Sequence, residues 1–147
     1  MRPTDDTKES QRKKYEHHKK ANGTLNYYLE QGNFIGAYVI AYSLLEDRIR
    51  AMYVVVQRDI NKTELVIEDV KRSVGGIIGY LQKNGYLTKE IAKQLHKANH
   101  IRNILLHDAM WQIDVFKEAD VLKVKDLKNE VAKTLERLKK SIKAKQH

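Results

Sequence analysis

The chain's only proline is Pro3. Every later residue keeps its backbone N–H, and no pyrrolidine ring interrupts the sequence beyond that point. Glycine is sparse as well, with seven in all. A chain so poor in turn residues does not supply the closely spaced turns of a sandwich or barrel, and it favours long helices. The apolar spacing agrees. Phe34, Tyr38, Ala41, Leu45, Ile49, Met52 and Val56 recur at three- and four-residue intervals, which makes one stripe along a helix. Further apolar residues border that stripe. A central helix from Phe34 to Arg58, buried on more than one side, is therefore expected. Val54-Val55-Val56 alone resembles a strand, but the helical period continues through it.

The flanking segments follow the same logic. Met1 to Lys20 is polar and basic and reads as a solvated first helix or arm; its paired His17 and His18 lack a third metal ligand nearby. Asn22-Gly23-Thr24 predicts a break, with Thr24 as an N-cap. A short helix carrying Leu25, Tyr28 and Leu29 then closes at Gln31-Gly32-Asn33. Thr63, with Glu64 to Glu68 behind it, predicts the start of a third helix that ends at Asn84-Gly85. Gly75, Gly76 and Gly79 fall inside it. With no preceding strand and no following Gly-Lys-Ser/Thr, they read as sites of close packing and not as a phosphate loop. Thr88 caps a fourth helix running to about Ala109. Trp111 to Asp120 reads as a loop anchored by Trp111, Ile113, Val115 and Phe116. Val121 to Ile142 reads as a fifth helix with Val124, Leu127, Val131, Leu135 and Leu138 along its seam. Residues 1–147 thus read as one all-α domain, a four- to five-helix bundle.

Net charge is +9, with a pI near 9.6, which suits a polyanionic partner such as RNA, DNA or an anionic membrane surface. There is no cysteine, so disulfides, thiolate zinc sites and a cysteine nucleophile are excluded. The first residues carry no apolar signal core. The longest apolar run, Phe34 to Leu45, is broken by Gly36 and Ser43 and is too short to span a bilayer. A cytoplasmic protein without membrane insertion is the expectation.

The fourth helix departs from the pattern of the others. At 100° per residue, His96, His100, Asn103 and His107 fall on one face, within about 60°. Ile91, Leu95, Ala98, Ile101, Leu105 and Leu106 occupy the other side. Surface faces usually carry lysine and glutamate where this one carries imidazoles and an amide. Arg102 falls among the apolar positions, where an unpaired guanidinium is costly. Glu46, which borders the apolar stripe of the central helix, is its expected partner. On these residues alone two readings stand: a site built on Arg102 and His107, or a structural ion pair with a histidine at the helix end. His96 and His100 are spaced like zinc ligands, but the acid of a metalloprotease motif is missing.

The segment from Leu95 to Asp108 resembles the signature helix of the HEPN superfamily: an arginine, four to six residues, then a histidine, often with a polar residue after the arginine. Arg102, Asn103 and His107 match that mark, and Glu46 matches the acidic residue often found on an earlier helix. The likeness extends from Phe34 to Trp111. It implies an all-α bundle, commonly a homodimer whose two motif helices face one cleft. Many members are metal-independent ribonucleases that act as toxins or antiphage effectors; others have lost catalysis and bind RNA, nucleotides or partner proteins. Ala109 stands where a subgroup paired with a nucleotidyltransferase antitoxin has tyrosine.

The resemblance makes Arg102, Asn103, His107 and Glu46 the expected catalytic set, with RNA as substrate and no metal or cofactor required. His107 would exchange protons with the 2′-hydroxyl or the leaving 5′-oxygen. Arg102 would hold the phosphate, Asn103 would orient it, and Glu46 would aim Arg102. The basic termini would add phosphate affinity. The alternative is a non-catalytic module of the same fold that binds RNA or a nucleotide or docks a partner, an antitoxin included. The apolar cluster from Trp111 to Phe116 would serve that docking or simply cover the end of the bundle.

Overall fold

The architecture comes from a computed structural model that describes residues 8–65, 72–112 and 116–146, without the side chains of residues 108–112. Five α-helices account for most of it: α1 (Lys8–Glu30), α2 (Phe34–Val55), α3 (Val74–Lys83), α4 (Lys89–Gln112) and α5 (Glu118–Lys145). A π-helical turn, Val56–Ile60, prolongs α2. There is no strand among the described residues.

The apolar stripe of α2 explains its central place. Ala37, Tyr38, Ala41, Leu44, Leu45, Ile49, Met52 and Val55 are all buried, and they spread over more than one face. That helix packs most extensively on α5, then on α1, and it also touches α3 and α4. Leu25 of α1, Ile77, Ile78 and Leu81 of α3, Leu95 and Leu105 of α4, and Val121, Val131 and Leu135 of α5 complete the core. Each such side chain contributes about 1.5–3 kcal/mol when withdrawn from water.

Side-chain caps fix where the helices begin. Asn33 Oδ1 accepts from the Gly36 N–H at 3.0 Å at the start of α2. A Cβ at Gly36 would sit 2.7 Å from Asn33 Nδ2, so glycine there lets the cap close. Ser73 Oγ accepts from the Gly76 N–H at 3.1 Å, and Thr88 Oγ1 from the Ile91 N–H at 3.2 Å. At α5 the roles reverse: Asp120 Oδ2 reaches back to the Lys117 N–H at 2.9 Å. Gly85, at φ +81°, takes the left-handed turn that closes α3, a conformation in which a side chain is strained.

Several boundaries differ from the sequence expectation. There is no break at Asn22-Gly23-Thr24, because α1 runs through it. Thr24 Oγ1 donates to the Lys20 carbonyl at 3.1 Å, the back-bond of a residue inside a helix and not a cap. The third helix starts at Val74 behind Ser73; Thr63 and Glu64 lie outside any helix, and residues 66–71 lie outside the described residues. Gly75 and Gly76 therefore occupy a first turn, not a helix middle. The fourth helix continues beyond Ala109 to Gln112, so Trp111 belongs to it and not to a loop. Of the expected loop anchors, Ile113 and Val115 lie outside the described residues, while Phe116 packs edge-on against Tyr38 with ring centroids 5.2 Å apart. No helix among the described residues is long and apolar enough to cross a membrane.

Candidate functional site

Ala92, Leu95, Ala98 and Leu105 are the buried residues by which α4 enters the core. Their spacing leaves His96, His100, Asn103 and His107 exposed on the opposite side, as the wheel requires. Leu106 does not join the core as expected; it is 61 % exposed. Around the helix it falls between Arg102 and Asn103, beside Asn99, so one stripe carries Arg102, Leu106, Asn99, Asn103 and His107 in sequence.

Two hydrogen bonds seat α4 on α2. The Tyr38 hydroxyl donates to the Ala98 carbonyl at 3.0 Å, and the Tyr42 hydroxyl to Asn99 Oδ1 at 2.7 Å. Both tyrosines are almost fully buried. Burial pushes the Tyr42 hydroxyl up to about 12; the Glu46 carboxylate adds to this, and Arg102 and Arg50 oppose it. The Tyr38 hydroxyl is raised further, again chiefly by burial.

The expected Glu46–Arg102 ion pair does not form. Glu46 Oε2 instead faces Arg50 Nε at 3.8 Å, one turn along the same helix. Arg102 lies over the Tyr42 ring, 5.5 Å from its centroid. Its Nη1 reaches Asn103 Oδ1 in a long hydrogen bond of 3.4 Å. A guanidinium on an aromatic face keeps its N–H edge available while its flat face is shielded from water. The half-buried Arg102 thus leans out of the α2–α4 seam toward the exposed amide and imidazole face. Asp47, the next residue of α2, accepts from His18 Nε2 at 2.9 Å and from Arg48 Nη2 at 2.6 Å.

The structure therefore brings Arg102 and Asn103 into contact and leaves His107 about one turn further along the same stripe, exposed. It keeps Glu46 near Tyr42 but on a different cation. Two residues central to this geometry were not singled out from sequence, Tyr42 and Asn99. Their signals were present: Tyr42 precedes Glu46 by one turn of α2, and Asn99 precedes Arg102 by three residues of α4.

A second arginine rests on tyrosine nearby. Arg72 lies 5.9 Å from the ring centroids of both Tyr53 and Tyr80, and Arg50 Nη1 donates to its carbonyl at 3.0 Å. No cluster of three or more His, Cys, Asp or Glu side chains with metal-ligand geometry occurs among the described residues.

No protein-family model matches the chain, and neither a curated protein nor a solved structure matches it.

Proposed function

We propose that this chain is a metal-independent endoribonuclease of the HEPN type, acting as a symmetric dimer. One observation carries the reading. Arg102, with no carboxylate paired to it among the described residues, is held on the Tyr42 ring and turned toward Asn103, on a stripe where His107 is open to solvent.

The chemistry follows from those groups. The substrate RNA brings its own nucleophile, the 2′-hydroxyl. Arg102 binds the scissile phosphate and stabilises the charge that gathers on its oxygens as the 2′-oxygen attacks. Asn103 fixes the direction of that guanidinium and offers its amide N–H to the phosphate. His107 takes the proton of the 2′-hydroxyl or returns one to the departing 5′-oxygen, an exchange suited to an imidazole near neutral pH. Glu46 acts through Arg50 and not through Arg102. The products are a 2′,3′-cyclic phosphate and a 5′-hydroxyl.

One His107 serves one proton transfer, so a second copy of the helix is required for the other. Leu106, apolar and largely exposed amid polar groups, supplies the contact through which two α4 helices meet across a two-fold axis. The basic charge of the chain draws the RNA to that cleft.

The test is cleavage of a labelled RNA in EDTA by the native chain and by Arg102→Ala, Asn103→Ala and His107→Ala. The native chain cleaves, the Arg102 and His107 variants lose at least about a hundredfold in rate, the usual weight of such groups, and Asn103→Ala falls between. Equal rates in all four overturn the proposal. RNA binding without turnover makes the chain a binding module of the same architecture.

A further inference from the structure

One tyrosine holds two groups of α4. The Arg102 guanidinium lies on the face of the Tyr42 ring, and the hydroxyl at the edge of that ring donates to Asn99 Oδ1 at 2.7 Å. Asn99 and Arg102 stand three residues apart on the helix, a spacing that makes their side chains neighbours. Tyr42 is almost fully buried and Asn99 half-buried. The amide oxygen of Asn99 is therefore turned inward and committed, and Nδ2 forms the other arm of the same planar group. A Cβ at Gly75, in the first turn of α3, would sit 3.8 Å from that Nδ2. Among the described residues Asn99 Nδ2 has no hydrogen-bond acceptor.

Asn103 is polarised in the same sense. A guanidinium only donates, so the 3.4 Å contact from Arg102 Nη1 takes Asn103 Oδ1 as its acceptor. Both amides thus present N–H groups to whatever approaches, and so does Arg102. A ligand on this stripe must bring acceptors. A phosphate on Arg102 and Asn103 meets two of the three donors. Asn99, one turn nearer the start of α4, is left for another part of the same ligand.

In a single-stranded ribonucleotide that other part is the base, whose edge is unpaired and open to side chains. An asparagine with both arms free reads adenine by a double contact, accepting from the amino group and donating to a ring nitrogen. Asn99 cannot do so, because the Tyr42 hydroxyl has taken the accepting arm. It can only donate. Uracil O4 and guanine O6 accept from it. The amino groups that cytosine and adenine carry at the same positions set donor against donor and leave both unpaired.

We infer that Asn99 is the base-selecting residue of the Arg102 site: it takes a nucleotide with an exocyclic carbonyl, uracil or guanine, in preference to cytosine or adenine, and Tyr42 is the positioning residue that sets its amide. The inference rests on the part of the ribonuclease reading that seats a phosphate on Arg102, and not on turnover.

The probes are the four ribonucleoside 3′-monophosphates, titrated into the full chain and followed by NMR chemical shifts. The uridine and guanosine compounds bind about tenfold more tightly than the cytidine and adenosine ones, the weight of one matched hydrogen bond against an opposed pair of donors. Asn99→Asp exchanges the donor for an acceptor at nearly constant shape and inverts the order; its charge weakens all four alike and cancels in the ratio. Asn99→Ala and Tyr42→Phe bring the ratio close to one. Arg102→Ala weakens all four together. The ratio is the readout because a merely structural role for Asn99 leaves it unmoved. Thermal melts confirm that the variants fold. The inference is overturned if the native chain binds none of the four, binds all four alike, or keeps its preference in Asn99→Ala. Cleavage in EDTA is scored separately. Cleavage that depends on Arg102 and His107 but shows no base preference overturns the assignment of Asn99 alone; base preference without cleavage overturns the ribonuclease reading alone.

Discussion

Replacing Tyr42 separates what its ring does from what its hydroxyl does. Tyr42→Phe removes the hydroxyl that donates to Asn99 Oδ1 at 2.7 Å but keeps the ring on which Arg102 lies. The loss leaves a part-buried amide oxygen without its donor, at about 1 kcal/mol. For a chain of this length that lowers the melting temperature by about 2–4 °C. Tyr42→Leu also removes the ring, and with it the cation–π contact, about 0.5–2 kcal/mol, and leaves unfilled volume in the seam. Its total cost is about 3 kcal/mol, where the cavity takes the larger part. On the proposed ribonuclease reading, the two variants part more sharply in RNA cleavage. With the ring present, Arg102 keeps its direction and Tyr42→Phe stays close to the native rate. Without it the guanidinium swings free, and about 1.4 kcal/mol of lost orientation appears as a tenfold slower reaction. Urea unfolding and the cleavage assay, run on both variants, decide the matter. Should Tyr42→Phe lose as much activity as Tyr42→Leu, the ring is not what holds Arg102, and the geometric argument for the site fails.

Three further outcomes are expected. Tyr38 and Tyr42 both have raised hydroxyl pKa values, so their contribution to stability is complete below the unfolded value of about 10 and is lost as pH rises through the folded value, about 12 for Tyr42. Unfolding free energies from urea titrations should fall between pH 10 and 12 by up to about 1.4 kcal/mol per pH unit for each group, and less steeply in Tyr42→Phe. Ser73→Ala removes the cap of α3 and costs about 1 kcal/mol, which Ser73→Asp restores; denaturant midpoints measure both. Ile78→Ala, at a side chain with no exposed surface, costs about 2–5 kcal/mol and lowers the thermal midpoint accordingly.

The helical class was legible because no proline after Pro3 interrupts the chain and the apolar residues of each helix recur at three- and four-residue spacing. The central stripe of α2 and the solvent face of α4 followed from that same spacing. What misled was local chemistry with two readings. Asn22-Gly23-Thr24 looks like a boundary, yet α1 carries on to bury Leu25, and Thr24 finds a carbonyl one turn back. Thr63 and Ser73 are both good caps by residue type; the helix starts behind the second, and from there Ile77, Ile78 and Leu81 reach the core. Leu106 was assigned to the core from its hydrophobicity, although its wheel position lies at the edge. For Arg102 the position was read correctly and the partner was not. Glu46 has a competitor, Arg50, one turn away on its own helix, and a contact within one helix needs no tertiary alignment. The ring of Tyr42 then took the place given to the carboxylate, a choice that a spacing argument built on charge pairs cannot anticipate.

The central claim is that Arg102 and His107 together open a phosphodiester with the RNA's own 2′-hydroxyl. The most direct measurement is the chemistry of the RNA ends after incubation with the purified chain in EDTA. The account predicts 2′,3′-cyclic phosphate and 5′-hydroxyl termini that disappear with His107→Ala. Intact RNA, or fragments with 3′-hydroxyl ends that persist in that variant, would contradict it.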